Sequence, residues 1–419
     1  MYYSVLAKMN KMDIEDILPL HDTQVALLLP YMVLNKTKIG FEQQAYFISG
    51  IKDINAIKKA FGVLSRYHQS LRSTVHYIGL TRPVQVIHRQ MDALRVVHYT
   101  DPQKLLHDLW NEPMELSQRA FEVTLCQVEA EKLLVIFRYH HLLFDGWSNI
   151  LILRGLMQIY HSLVFRIPYQ PTNVLGHRAY YSYIRELSEM KHNSFWTGYL
   201  KNPPTPIFKV KQIDILKKFE QSDLSYTLTL DECSCLASTA MQCGITPAVL
   251  FCLAWALVLK DLYNLDDVIF NIVLSGRDAN LPSIETFIGP CITTAPLRVW
   301  DMHSCSALKL AQKIQNDLQH IQANQYVKDP GRDAIFPQTM VNIQNYPKDL
   351  DLPDKHYKVD LYQSKYANGF LLTLNVFTLD FQYIVQLSYD ANFFSKENAL
   401  GVIEKVREVV ASLVRDLLN

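Results

Sequence analysis

Two adjacent histidines, followed by an aspartate and a glycine, are the residues best suited to chemistry in this chain. The stretch His140–Ser148 reads HHLLFDGWS, follows the apolar β-prone run Leu133–Phe137, and precedes an apolar helical pattern from about Trp147 to Leu163. A titratable base is thereby placed where a buried strand becomes a turn, which holds a catalytic group rigidly. A neutral His141 could accept a proton from an amine or hydroxyl nucleophile.

Other interpretations of the same stretch are weaker. A single histidine is more often structural than catalytic, but the whole HHxxxDG string after a strand favours function. A metal site built from His140, His141 and Asp145 is disfavoured, because adjacent strand residues point to opposite faces. The chain has no GxSxG nucleophile elbow and no GxxxxGK or GxGxxG phosphate loop, so neither a serine hydrolase nor a nucleotide-binding protein is indicated.

A second string, Leu274–Asp278, follows a β-branched run and reads LSGRD. Arg277 could form a bidentate ion pair with a buried carboxylate, and Asp145 is the natural partner. Asp145 would then support the loop through a distant cation instead of contacting His141 directly. The alternative is a surface turn with an exposed arginine. A third string, Phe287–Arg298, is a turn that enters a strand.

Composition narrows the class of protein. The 419 residues are 49% apolar and 20% charged, as in a soluble globular enzyme, and the formal net charge of zero argues against nucleic-acid binding. The N-terminus lacks a signal-peptide pattern, and the longest uncharged stretch, Ile245–Leu259, is too short to span a bilayer. The seven cysteines include no CxxC pair, so we expect reduced thiols in a cytoplasmic protein without a membrane segment.

Strand-like and helix-like segments alternate in both halves of the chain, which predicts an α+β fold with a separate core in each half. The expected division is residues 1–200, a linker at 201–223 and residues 224–419. Asp231 is the predicted N-cap of one helix, and Thr246 with Pro247 is predicted to open another, which runs to Tyr263. Further predicted helices and strands are Ile54–Tyr67, Val84–His88, Leu94–His98, Leu133–Tyr139, Tyr180–Leu200, Leu224–Leu230, Val268–Leu274, Gln338–Asn345, Leu371–Thr378, Tyr383–Tyr389 and Lys396–Leu418.

The ordered series of motifs resembles the condensation domain of nonribosomal peptide synthetases over nearly the whole length. The double histidine and the SGR string, in this order and spacing, are the most specific part of the resemblance. The matching segments are Ile14–Leu20 with Gln24, His68–Arg72, His140–Ser148, Phe195–Leu200, Ser275–Arg277, Ile288–Pro290 and Gln344–Tyr346.

The resemblance implies two chloramphenicol-acetyltransferase-like lobes arranged in a V, with a substrate tunnel between them. A thioester donor and an amine acceptor would enter on phosphopantetheine arms of carrier proteins, with no bound cofactor or metal. The implied catalytic group comprises His141 as general base or positioning residue, its neighbour His140, Asp145, and Gly146, whose N–H would stabilise an oxyanion. Asp145 would pair with Arg277. The residues expected to line the tunnel are Trp147, Ser148, Ser275, Gly289, Thr293 and Asn345.

Departures from the family pattern bear on the acceptor. Thr293 stands where the family has asparagine, Cys291 stands where it has phenylalanine, and Gln325–Phe336 lacks the usual motif. The acceptor is therefore expected to be unusual or not bound to a carrier. The chain shows no adenylation, carrier-protein or thioesterase signature, so we expect a stand-alone, monomeric enzyme that forms an amide bond. The alternatives are a CoA-dependent O- or N-acyltransferase of the same superfamily and a non-catalytic recruitment module.

Overall fold

The chain packs as two compact units that are not continuous in sequence. The computed structural model describes residues 11–34, 37–171, 174–190, 195–277, 280–327, 337–344, 350–379 and 381–418. The first unit consists of Met1–Tyr183, Gly276–Cys291 and Tyr346–Asn368, and the second of Ile184–Ser275, Ile292–Asn345 and Gly369–Asn419. This division differs from the single predicted boundary at 201–223, because two segments from the second half of the chain pack with the first unit.

Helices and strands alternate along both units. The helices are α1 (Asp22–Val33), α2 (Ile54–Tyr67), α3 (Pro102–Asn111), α4 (Gly146–Phe165), α5 (His177–Met190), α6 (Phe195–Tyr199), α7 (Gln212–Lys218), α8 (Leu230–Gln242), α9 (Pro247–Tyr263), α10 (Ala307–Ala323) and α11 (Lys396–Leu418). The strands are β1 (Ile14–Pro19), β2 (Phe41–Ser49), β3 (Ser73–His76), β4 (Val84–His88), β5 (Leu94–Val97), β6 (Phe121–Glu129), β7 (Lys132–His140), β8 (Gln221–Thr227), β9 (Asp267–Leu274), β10 (Thr293–Trp300), β11 (Thr339–Gln344), β12 (Lys358–Tyr366), β13 (Leu372–Leu379) and β14 (Gln382–Asp390).

The first unit contains a three-stranded sheet in the order β1-β4-β3 and a five-stranded sheet in the order β12-β2-β7-β6-β5. The central strand β7 is apolar at successive positions because both of its faces are covered. Phe137 and Tyr139 belong to the larger core, to which α2 and α4 contribute, whereas Leu134 and Ile136 pack with leucines of α3 on the opposite face. This alternation decides where the two histidines at the end of β7 point.

β12 explains why residues 346–368 belong to the first unit. It pairs antiparallel with β2 over its length, from Lys358 opposite Ser49 to Tyr366 opposite Glu42. Such a pairing joins residues about 300 positions apart, and local sequence patterns do not report it. The region predicted as a linker also differs from expectation, because α7 and the start of β8 lie within it.

The second unit is built on a six-stranded sheet in the order β10-β9-β11-β13-β14-β8. Its core includes α9, which is buried along most of its length, together with apolar residues of α8, α10 and α11. No single helix in the described part of the chain is long and apolar enough to span a bilayer; α8 and α9 meet those limits only together, as a pair bent by 99°.

The start of α8 corrects one prediction. Asp231 is not the N-cap, and β8 ends at Thr227 instead of continuing to Leu230. Thr229 caps the helix: its hydroxyl accepts the N–H of Glu232 at 3.2 Å, and the Glu232 carboxylate accepts the N–H of Thr229 at 2.7 Å. This reciprocal capping box satisfies two backbone donors at once, which a cap at Asp231 would not do.

Candidate active site

His141 lies just beyond the end of β7. Its backbone N–H donates to the carbonyl of Gly40 at 2.7 Å, which ties the turn to the residue before β2. Gly40 has a φ of +88°, and a Cβ atom there would lie 2.6 Å from the imidazole of His140. A glycine is therefore required at this position both by the backbone conformation and by the close approach of the ring.

The imidazole of His140 is enclosed by protein. It is fully buried, packs edge-on against Phe41 with ring centroids 4.8 Å apart, and accepts the N–H of Leu142 through Nδ1 at 3.2 Å. Burial lowers the pKa of His140 to about 3, so the ring is neutral at physiological pH. His140 is therefore enclosed and neutral, although the family resemblance implies a catalytic group that contains both histidines.

His141 faces the same side of the sheet as Tyr139 and forms a contact that is not predicted from the sequence. Its Nε2 lies 2.8 Å from a carboxylate oxygen of Glu42 on β2, and 23% of its side chain is exposed. Glu42 is opposite Tyr139 in the β2–β7 pairing and also accepts hydrogen bonds from Tyr139 and Gln44. Asn149 of α4 in turn donates to the Tyr139 hydroxyl at 2.6 Å.

The electrostatics of this contact favour an ion pair. Burial opposes the charged form of His141, but the carboxylates of Glu42 and Asp145 and the backbone carbonyl of Phe144 outweigh it, so the pKa of His141 is raised. Burial likewise opposes ionisation of Glu42, yet protonated His141 and the hydrogen bonds from Tyr139 and Gln44 lower its pKa. Both shifts describe the same state, an imidazolium beside a carboxylate.

Asp145 and Arg277 are in direct contact, which is the ion pair considered in the sequence analysis. Arg277 Nη2 lies 2.8 Å from Oδ1 and 3.0 Å from Oδ2 of Asp145, and the two side chains are only 4% and 1% exposed. Arg277 Nη1 donates to the carbonyls of Ile284 and Phe287, each at 2.8 Å. The pair therefore fixes the segment around residues 284–289 to the start of α4.

Ser148 completes this arrangement. Its N–H and hydroxyl donate to Asp145 Oδ1 at 2.9 and 2.8 Å, and its hydroxyl accepts from Arg277 and from the N–H of Gly289 at 3.2 Å. Ser148 is completely buried and therefore does not line an open tunnel as predicted. Its hydrogen bonds instead hold these segments together. Gly289 is also needed for packing, since a Cβ atom there would lie 2.1 Å from the ring of Phe287.

Gly146 and Trp147 begin α4, directly after its N-cap Asp145. The first N–H groups of a helix have no partner within the helix and attract negative charge. Trp147 donates through Nε1 to the carbonyl of Glu285 at 3.1 Å, and the guanidinium of Arg277 lies 5.4 Å from its ring centroid. The predicted residues around this helix start are thus held in one bonded cluster.

The other predicted tunnel residues lie in the second unit or outside the described residues. Ser275 is exposed and Thr293 is buried, with its hydroxyl donating to Gln325 at 2.8 Å. Both belong to the second unit. Asn345 and most of the segment Gln325–Phe336 fall outside the described residues.

Glu42 is the functional candidate that sequence reasoning misses. Its strand, Phe41–Ser49, is not among the predicted strands, although FEQQAYFIS has aromatic and aliphatic residues spaced as in a strand. An acidic residue within such a strand is costly unless it is paired, and that is the available signal. Its partner, about 100 positions later, cannot be identified without the pairing register of β2 and β7.

Comparison with known proteins assigns the chain to a family. The family model described as "Condensation domain" matches residues 14–419. This chain is a member of the condensation domain family. A linear gramicidin synthase subunit from Brevibacillus parabrevis is 22% identical over 97% of this chain and 8% of its own length. A mycosubtilin synthase subunit from Bacillus subtilis is 22% identical over 97% of the chain and 16% of its own length. The condensation domain thus spans only a small part of these relatives.

Solved structures show the same fold. The first condensation domain of the calcium-dependent antibiotic synthetase, in complex with a substrate analogue, has a TM-score of 0.78 and 15% identity, with 97% of this chain and 98% of that chain covered. The X-domain from teicoplanin biosynthesis has a TM-score of 0.79 and 17% identity, with 95% of each chain covered. The predicted α+β class and the acetyltransferase-like fold are confirmed for this condensation domain.

Proposed function

We propose that this condensation domain joins an acyl or aminoacyl thioester, carried on the phosphopantetheine arm of a carrier protein, to an amine acceptor to form an amide bond. The observation that carries the proposal is the placement of His141. It follows the strand end within the HHxxxDG string, retains exposed surface and is rigidly held, whereas His140 is enclosed. The family match and the relatives among peptide synthetases support the same reaction class.

The proposed chemistry moves one proton in two transfers, onto His141 and off it again, and requires no covalent enzyme intermediate. The amine nitrogen attacks the thioester carbonyl, the carbonyl carbon becomes tetrahedral, and the carbon–sulfur bond breaks to release the thiol. Neutral His141 takes the proton from the attacking nitrogen, and that proton then passes from His141 to the leaving thiolate. The N–H of Gly146, at the start of α4, is positioned by the helix to favour negative charge on the carbonyl oxygen.

Asp145, Arg277 and Ser148 take a structural part in the proposal. Their polar atoms are directed at one another and at backbone groups of residues 284–289, and all three side chains are buried. They keep the turn after His141 and the start of α4 in place while substrates bind and leave. Catalysis then depends on positioning, which contributes through effective molarity, and on one base, which contributes about 10²–10⁴-fold.

A mass-spectrometric transfer assay tests the proposal. The same acyl groups are offered on a holo carrier protein and on coenzyme A, together with free and carrier-bound amines. We expect an amide product from the carrier-bound donor, and we expect His141→Ala to lower the rate by about 10²–10⁴-fold. His107→Ala, which removes an exposed histidine of α3, is the matched control and should retain activity.

Other outcomes assign other functions. Equal or better use of the coenzyme A thioester would identify a CoA-dependent acyltransferase. A folded His141→Ala variant with full activity would remove His141 from the mechanism. No product with any donor, together with retained binding of carrier proteins, would identify a recruitment module.

A further inference from the structure

Glu42 is a buried carboxylate for which the proposed mechanism has given no role. It is 7% exposed, and it accepts from three donors: Nε2 of His141, the amide of Gln44 and the hydroxyl of Tyr139. Gln44 and Tyr139 are neutral donors and would serve a neutral amide oxygen equally well. A buried negative charge is stable only beside a positive one. Among the described residues, Glu42 forms its ion pair with His141.

We propose that Glu42 is a positioning residue for His141: its carboxylate fixes the orientation of the imidazole through Nε2 and supplies the negative charge that pairs with the protonated ring. The inference rests on the proposed function only in taking His141 as the catalytic residue.

The elements around the ring support this assignment. Glu42 comes from β2, Tyr139 from β7, and Asp145 from the N-cap of α4; the first imidazole of the motif, His140, lies on the opposite face of the sheet and is neutral. Asp145 also favours a protonated His141, but its charge is already neutralised by Arg277 at 2.8 Å. Glu42 is therefore the carboxylate whose negative charge pairs with protonated His141.

The pairing has a defined consequence for the pH dependence of catalysis. The protonated ring is stabilised by Glu42, and only the neutral ring accepts a proton from the attacking amine. Activity should therefore rise with pH until the raised pKa of His141 is passed. Removing the charge of Glu42 while retaining its shape, as in Glu42→Gln, should move this rise to lower pH.

Nuclear magnetic resonance of the full chain with 15N-labelled histidine side chains tests the pair without any substrate. His141 is assigned from the signal lost in His141→Gln. We expect His141 of the wild type to titrate above the ordinary value of about 6.5, and its pKa to fall by about 1 pH unit or more in Glu42→Gln. If His141 titrates at the same pH in both proteins, the proposal is wrong, whether or not condensation is observed.

A matched control separates this effect from the loss of any buried carboxylate. Glu122 lies in the same sheet and is 5% exposed, but it pairs with Arg95 and Arg138, each at 3.1 Å. Glu122→Gln should leave the titration of His141 unchanged. If Glu42→Gln does not fold, the wild-type titration decides alone, because an ordinary or lowered pKa of His141 contradicts the ion pair.

The kinetic readout is the pH profile of kcat/KM. In Glu42→Gln we expect the rise to shift to lower pH by the same amount as the His141 titration, and the plateau to fall by up to about 100-fold because the ring is less well oriented. Glu42→Asp keeps the charge and should keep the rise near its wild-type pH. A titration that shifts without any shift in the rate profile would overturn the positioning role. A wild type that shows the raised titration but no condensation would leave the ion pair intact and reject the proposed function.

Discussion

At the scale of single residues, the fold depends strongly on keeping both members of the buried pair of Asp145 and Arg277. Removing one partner leaves the other charge buried without its counter-ion, and the Ile284 and Phe287 carbonyls lose their donor when Arg277 is removed. We expect Asp145→Asn and Arg277→Met each to lower the free energy of unfolding by about 3–5 kcal/mol. Urea denaturation followed by circular dichroism measures this change.

An exposed ion pair in the same unit provides the comparison. Arg178 pairs with Asp16, but its side chain is 68% exposed and solvent screens the pair, so Arg178→Met should lower the free energy of unfolding far less than either buried change. The double variant Asp145→Asn/Arg277→Met should be more stable than the sum of its single changes predicts, because the two changes remove both charges together. Equal losses for the buried and the exposed pair would contradict the buried-pair assignment.

The sequence predicts the pair of Asp145 and Arg277 but not the pair of Glu42 and His141. Asp145 and Arg277 stand in recognisable strings, each following a strand, and a buried carboxylate next to a helix start needs a cation. Glu42 belongs to no such string. Its role depends on the register that places Glu42 opposite Tyr139, and a shift of one residue would turn it to the other face of the sheet.

At the scale of elements, the start of α8 depends on which residue caps the helix. Thr229 and Glu232 form a capping box, whereas Asp231 lies within the first turn. We expect Thr229→Ala to lower the free energy of unfolding by about 0.5–2 kcal/mol. Asp231→Ala should change it by less, since it removes only a favourable charge near the helix N-terminus. Thermal unfolding of both variants measures the difference, and a larger loss for Asp231→Ala would restore it as the cap.

Elements with strong local signals are predicted well. α2, α9 and α11 have the predicted bounds because apolar periodicity, caps or Pro247 mark them in sequence, and β4 has the predicted bounds as well. β2 and β12 are not among the predicted strands. β12 in particular has mostly exposed or half-buried residues and is held by its pairing with β2, so its own sequence contains little strand signal.

At the scale of the whole molecule, continuity in sequence does not define the units. The segment Gly276–Cys291 belongs to the first unit because Arg277 pairs with Asp145, Gly289 bonds with Ser148, and Tyr180 donates to the carbonyl of Pro290 at 3.1 Å. Contacts of this kind join residues more than 100 positions apart, so a division by linker composition cannot find them. A fragment that contains only residues 1–200 would therefore lack Arg277 and Gly289, the partners of Asp145 and Ser148.

Buried neutral histidines should make the whole fold sensitive to mild acid. Burial lowers the pKa of His76 to about 4 and those of His140 and His177 to about 3, so the folded protein keeps them neutral while the unfolded chain binds protons below about pH 6.5. Because the unfolded state then binds more protons, stability falls as the pH falls, by about 2 kcal/mol for each histidine between pH 7.5 and 5. His141 acts in the opposite direction, since its raised pKa favours the folded state in acid and offsets part of the loss.

Urea denaturation at these two pH values should show the net loss of stability. We expect His177→Gln to reduce this loss by about 2 kcal/mol. The glutamine amide can keep a hydrogen bond to Ser70, whose hydroxyl lies 2.8 Å from Nε2 of His177. An unfolding free energy that is the same at both pH values would show that these rings become protonated without unfolding the protein.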